Sequence, residues 1–334
     1  MSLPGRPKGE FRSAQHEGTP VSAERKDSLD AVALLTVLAC CAVWGLSQVA
    51  AKISMTQMPP LFQAGVRSVG AAVLLLMWSR WRGLPMFGKD GTGRAGLLAG
   101  ALFAAEFACV FIGLQYTTAS RMVVFLYLSP FVVALGMPLI TRSERLSAWQ
   151  GFGLVLAFSG VVWAFAEGFV RTDAAPLQWL GDALGIAAAV LWGLTTLVLR
   201  ASRLASALPE KTLLYQLVVS GAALLLASAL SAETWPRALS GAVAGSLLFQ
   251  IAVVTFASYL AWFWLVRHYA ATRVAAFTLL TPVFGLLAGV LLLDEPLTMR
   301  LLVALAAVCA GITIVNHWPQ RTQSPNPHQP DSST

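Results

Sequence analysis

The chain has 334 residues, 57% of them apolar and only 12% charged, with a net charge of +7. Soluble domains run at roughly 45–50% apolar and about 25% charged, so this composition excludes an ordinary water-soluble globule and points to a membrane protein. The positive charge is spread over many loops, which reads as membrane topology and argues against a nucleic-acid partner.

Residues 1–29 mix Gly, Pro, Ser and charges and are expected to form a disordered cytoplasmic tail, with no cleavable signal peptide. Ten apolar windows follow, near 31–52, 60–79, 95–115, 119–140, 147–166, 177–199, 210–230, 243–266, 272–293 and 299–316. A bilayer core about 30 Å thick needs ~20 apolar residues per helix, and none of these runs alternates as a barrel strand does. The spacing predicts an all-α membrane protein with ten transmembrane helices. The four cysteines, Cys40, Cys41, Cys109 and Cys309, fall inside the windows without metal or redox spacing and read as small packing residues.

The first window carries Trp44, Gln48 and Lys52 at i, i+4 and i+8, a stripe on one helix face. The second holds Arg67. The third places Glu106 about ten residues from either end, near mid-bilayer at ~1.5 Å rise per residue. A carboxylate there is a functional candidate by default. It either forms a structural ion pair with Arg67, holds a cationic group of a substrate, or couples transport to protons. Arg121 opens the fourth window, where it either anchors the interface or guides anions, and Pro130 interrupts that window. The sixth carries Trp192, Thr196 and Arg200 in the spacing of the first stripe. The eighth carries Thr255, Ser258 and Trp262 on one face. Arg273 opens the ninth, and Pro282 interrupts it. Matched interruptions in two halves point to a transport site. Residues 318–334 are expected to form a second disordered cytoplasmic tail.

The chain repeats itself at offsets of 148 to 152 residues. Trp44-Gly45 returns as Trp192-Gly193. Arg121, nine residues before Pro130, returns as Arg273, nine before Pro282. Glu144, sixteen before Gly160, returns as Glu295, sixteen before Gly311. Five windows per copy is an odd number, so the second copy enters the membrane from the opposite side and the predicted fold is two inverted five-helix repeats, 30–168 and 177–317. Lys and Arg cluster on the side that holds both tails, including Arg6, Lys8, Arg80, Arg82, Arg142 and Arg145, which puts both termini in the cytoplasm.

These marks together resemble the drug/metabolite transporter superfamily, in its EamA type. The resemblance rests on the two Trp-Gly pairs, the stretches "YTTAS-R…LSP" and "YAAT-R…LTP", and the entries "ER-LS…G" and "EP-LT…G", and it covers roughly residues 30–316. It implies ten helices, a central cavity between the halves and export of small metabolites or drugs. Unlike the four-span relatives of that superfamily, the first and sixth windows here have no deep acid.

The expected protein is a secondary transporter of the cell inner membrane. It exports small metabolites such as amino acids by alternating access, without cofactor or metal. The alternatives are drug efflux, antiport of anionic metabolites, or a non-transporting membrane scaffold. Partners are a small-molecule substrate and the lipid bilayer, and the sequence leaves monomer and homodimer open. No Walker loop, His-Glu-x-x-His or Gly-x-Ser-x-Gly signature is present, so no enzyme is expected.

Overall fold

A computed structural model describes residues 30–88, 90–140, 148–170, 177–269 and 277–317. Regular structure among them is helical. The elements are α1 (Ala31–Met55), α2 (Pro60–Trp81), α3 (Gly93–Gly113), α4 (Ala119–Leu126), α5 (Ser129–Ile140), α6 (Ala148–Val170), α7 (Gln178–Ala201), α8 (Pro209–Leu230), α9 (Gly241–Leu248), a π-helical segment (Phe249–Ala257), α10 (Ser258–His268), α11 (Leu280–Leu293) and α12 (Met299–His317).

Among the described residues, seven stretches are long and apolar enough to cross a bilayer: α1, α2, α3, Ala119–Ile140, α7, α8 and Gly241–Leu265. Three shorter apolar stretches, Gly151–Ala164, Leu280–Leu293 and Met299–Ile314, fall within the remaining predicted windows. Large apolar side chains face outward, with Leu139 87% and Leu291 74% exposed. In water such surface costs about 25 cal/mol per Å², and a lipid surround removes that cost. Several apolar helices together make this an integral, multi-pass membrane protein.

Local chemistry sets the helix ends. Asp30 Oδ1 accepts the Ala33 N–H at 2.9 Å to start α1, and Pro60 opens α2 where its missing N–H costs nothing. Thr298 Oγ1 accepts the Leu301 N–H at 3.2 Å to start α12. The fourth predicted window is two helices rather than one kinked helix. α4 ends at Leu126, and Pro130 sits in the first turn of α5, a position that tolerates proline. Pro282 likewise lies in the first turn of α11.

α6 packs along α12, α2 along α8, α3 along α7 and α8, α1 along α11 and the 241–268 stretch, and α4 and α5 along α7. Both Trp-Gly glycines lie where helices nearly touch. A Cβ on Gly45 would come 2.6 Å from the Gly285 backbone nitrogen, and one on Gly193 would come 2.5 Å from Val132 Cβ. Gly96/Gly100, Gly181/Gly185 and Gly285/Gly289 also pack inside the bundle, whereas Gly241 and Gly245 meet nothing within 4 Å.

Candidate functional site

The helices gather a polar and aromatic cluster from α1, α2, α3 and the 249–268 stretch. Trp44 Nε1 donates to Ser258 Oγ at 2.7 Å, and that hydroxyl donates to Val254 O at 2.5 Å. The Trp44 ring lies 5.4 Å from Trp262 and 6.5 Å from Tyr259, both edge-on. Thr255 and Ser258 are buried and Trp262 half-buried. The π-helical run up to Ala257 means that Thr255 precedes the α-helical register in which Ser258 and Trp262 sit. Gln48, one turn along α1 from Trp44, is half-buried.

Arg67 and Glu106 meet beside this cluster. Both are buried, at 5% and 6% exposure. The Arg67 guanidinium lies 3.9 Å above the Phe107 ring and 5.1 Å from Phe111, a cation–π seat that covers its face. Tyr259, Glu106 and Arg67 lie within electrostatic reach of one another. Yet Arg67 Nε and Nη2 and Glu106 Oε2 are buried without a hydrogen-bond partner among the described residues. A buried polar atom left unmade costs about 1–3 kcal/mol, and more when charged, so these atoms are candidates for contact with a ligand. Gln63, one turn before Arg67 on α2, donates to Ala51 O at 3.1 Å and to Gln250 Oε1 at 3.2 Å. Gln250 in turn donates to Ser54 Oγ at 3.0 Å. This polar seam ties α1, α2 and the π-helical segment together.

Arg121 and Trp192 have partners outside this cluster. Arg121 is buried and forks onto Asp182, with Nε 3.1 Å and 3.2 Å from the two carboxylate oxygens and Nη2 bonded to Oδ2. Thr117 Oγ1 donates to the same carboxylate, and Arg121 Nη2 also donates to Ala164 O. Arg121 therefore has a carboxylate of its own inside the bundle. Trp192 packs edge-on against Tyr127 at 6.4 Å and is 39% exposed, and the Thr196 hydroxyl returns to Trp192 O. Pro130 and Pro282 open helices beside the bundle core. Arg273, and Glu144 with it, lie outside the described residues.

Asp182, Tyr259 and Phe107 went unmarked in the sequence. Asp182 is an acid in an apolar helix but lies near its start, without the depth that marked Glu106. The two aromatics carried none, because rings inside apolar runs look like packing. Glu295 caps a helix other than its own. Asp294 adopts a left-handed turn at φ 52°, ending α11, and Glu295 then accepts from Ala119 N–H at 2.7 Å, Ser120 N–H at 2.9 Å and Ser120 Oγ at 2.6 Å at the start of α4.

A separate surface cavity of about 360 Å³ is lined by Asp90, Thr92, Arg203, Ser206 and Ala207. There Lys211 donates to Asp90 at 2.7 Å, and Thr92 donates to it as well. These bonds hold the Asp90 carboxyl well below the usual carboxylate range. The described residues contain no group of three His, Cys, Asp or Glu placed to hold a metal.

Comparison with known proteins places this arrangement. The model of the EamA-like transporter family matches residues 31–166 and again 179–317. A "probable amino-acid metabolite efflux pump" of Escherichia coli K12 is 28% identical over 304 residues, 87% of this chain and 94% of that protein. Transporter YoaV of Bacillus subtilis, itself uncharacterized, is 22% identical over 84% of this chain and 94% of its own length. An uncharacterized protein of Pseudomonas aeruginosa, PA1977, is 30% identical over 84% of this chain and 93% of its own. One solved crystal structure superposes with a TM-score of 0.59 at 18% identity, covering 86% of this chain and 96% of that one, which shows a shared fold. With both matched stretches together spanning most of the sequence, the chain belongs to the EamA-like transporter family.

Proposed function

We propose that this protein is a secondary exporter of small metabolites, amino acids among them, that works by alternating access in the cell inner membrane and leaves its substrate chemically unchanged. The observation that carries the proposal is the cluster around Arg67 and Glu106. A buried arginine and a buried glutamate keep unpartnered polar atoms near Phe107 and Tyr259, where helices from both family matches meet. The named activity of the Escherichia coli relative supports amino acids as the first substrates to try.

In this reading residues 30–168 and 177–317 are inverted five-helix halves with both termini cytoplasmic, and each half moves against the other about the cluster. The helix pairing supports it. Exchanging the halves maps the α2–α8 and α6–α12 contacts onto themselves, and maps α3 on α7 onto α1 against the 241–268 stretch. The glycine contacts agree, since Gly45 rests on α11 and Gly193 on α5.

Purified protein in proteoliposomes tests the proposal against a panel of labelled amino acids, with and without counter-solute inside. The expected result is saturable flux above protein-free vesicles for at least one amino acid. Absence of flux for the whole panel, in both loading conditions, overturns it.

A further inference from the structure

We infer that the Arg67–Glu106 site recognises a zwitterion by its two ends, with Arg67 receiving a substrate carboxylate and Glu106 a substrate ammonium. This rests on the transport reading above and adds which residue selects which group.

Arg67 carries the first half of the argument. An arginine grips a carboxylate side-on with two donors that point the same way, Nε–H and Nη2–H. Arg121 does this within the same molecule, giving Nε and Nη2 to both oxygens of Asp182. In Arg67 the same two atoms, Nε and Nη2, are buried and unpartnered. Phe107 covers the face of the guanidinium at 3.9 Å and leaves its donor edge free. That fork has the shape of a carboxylate, and the bundle supplies none to it among the described residues.

Glu106 carries the second half. It stands next to Phe107 on α3, buried at 6% exposure, with Oε2 lacking a donor. An ionised carboxylate in such a place needs a cationic donor. Arg67 is near, yet it does not hydrogen-bond to this oxygen. A small zwitterion satisfies both sets of atoms at once and adds no net charge to the apolar layer. A lone anion or a lone cation satisfies one and leaves the other unmade. Phe107, Phe111, Tyr259 and Trp44 offer apolar surface for the rest of such a substrate.

Equilibrium binding to purified protein in lipid nanodiscs tests this. The probe is the amino acid with greatest flux in the panel above, used with its decarboxylated amine and its deaminated acid. For L-leucine these are 3-methylbutylamine and 4-methylpentanoate. Wild-type protein should bind the amino acid at least about tenfold more tightly than either analogue, the size expected for losing one charge-assisted hydrogen bond. Glu106→Gln keeps the shape and removes the charge. It should bring the amino acid and the deaminated acid to within about twofold of each other while the amine stays disfavoured. Arg67→Lys keeps the charge and removes the fork, so it should narrow the gap to the amine instead. Each variant is first shown to be folded by its melting transition; Glu106→Asn or Arg67→Gln, with the same expected shift, replaces the variant at that position that is not. Unchanged selectivity in both variants, with wild-type flux intact, overturns the assignment and leaves the transport reading standing. Absence of flux in the wild type removes the transport reading itself.

Discussion

Asp182 and Glu106 are both acids inside apolar helices, and the protein treats them oppositely. Asp182 is fully buried, receives a forked arginine and a threonine hydroxyl, and has become part of the framework. Removing one partner of a buried pair strands the other charge, so Asp182→Ala should lower stability by about 3–5 kcal/mol in a detergent melt. Changing both members, Arg121→Met with Asp182→Leu, should restore most of that loss. A single variant that melts like the wild type would show that water reaches the Arg121 guanidinium. Glu106 has no such framework and keeps an unpartnered oxygen. The sequence made Glu106, Arg67, Trp44 and Ser258 legible because each is polar or bulky at a repeat-marked or deep position. Asp182, near the start of its helix, became meaningful only when the fold brought Arg121 to it. Tyr259 and Phe107 were not legible, because their roles depend on which side of a helix faces Arg67.

Helix spacing in this bundle is set by glycine, and the glycines divide into two kinds. Gly45 and Gly193 sit against another helix so closely that a methyl group would meet backbone or a β-carbon at 2.6 Å and 2.5 Å. Gly45→Ala and Gly193→Ala should each cost about 1–3 kcal/mol, because the whole partner helix must shift. Gly245 faces open space, so Gly245→Ala should instead raise stability by up to about 1 kcal/mol through helix propensity alone. Thermal melts of the three variants decide the matter, and a loss at Gly245 equal to that at Gly45 would contradict the packing. Periodicity and repeat spacing gave most helix positions, since long apolar runs leave few choices in lipid. Two features escaped it. One is the break at Tyr127–Leu128, which ends a short α4 whose start is held by Glu295, 175 residues away from Ser120. The other is the π-helical run 249–257, within which Gln250 reaches Gln63 and Ser54. Neither contact has a local signature.

At the scale of the molecule, several polar links join the two family-matched stretches. Trp44 reaches Ser258, Gln63 reaches Gln250, Arg121 reaches Asp182, Asp90 meets Lys211, and Glu233 caps the start of α2 at Leu61 and Phe62. The Asp90–Lys211 link gives a pH signature. Its partners depress the Asp90 pKa, so its contribution is full above the ordinary carboxylate value near 3.9 and is lost as pH falls toward the folded-state value. The melting temperature of Asp90→Asn should therefore sit below wild type by a constant margin from neutral pH to about 4 and converge on it below that. A margin that closes above pH 5 would assign the effect to another group.

These links are unevenly placed along the bundle axis. Glu233, Glu295 and the Arg121–Asp182 pair gather at the end formed by residues 56–59, 114–118, 231–240 and 294–298, and Glu295 and Asp182 are buried there. At the opposite end the described ties include Asp90 to Lys211, Thr92 to Tyr215 and Tyr269 to Asp30; both of these acids are exposed, while Lys211 is buried. Parting the helices at the first end strips carboxylates of their donors inside an apolar layer. Parting them at the second returns Asp30 and Asp90 to water that already wets them, while Lys211 leaves a buried seat. On these ties the bundle is expected to part more cheaply at the end bearing Asp30, Asp90 and Tyr269, as a clothes-peg opens at its free end.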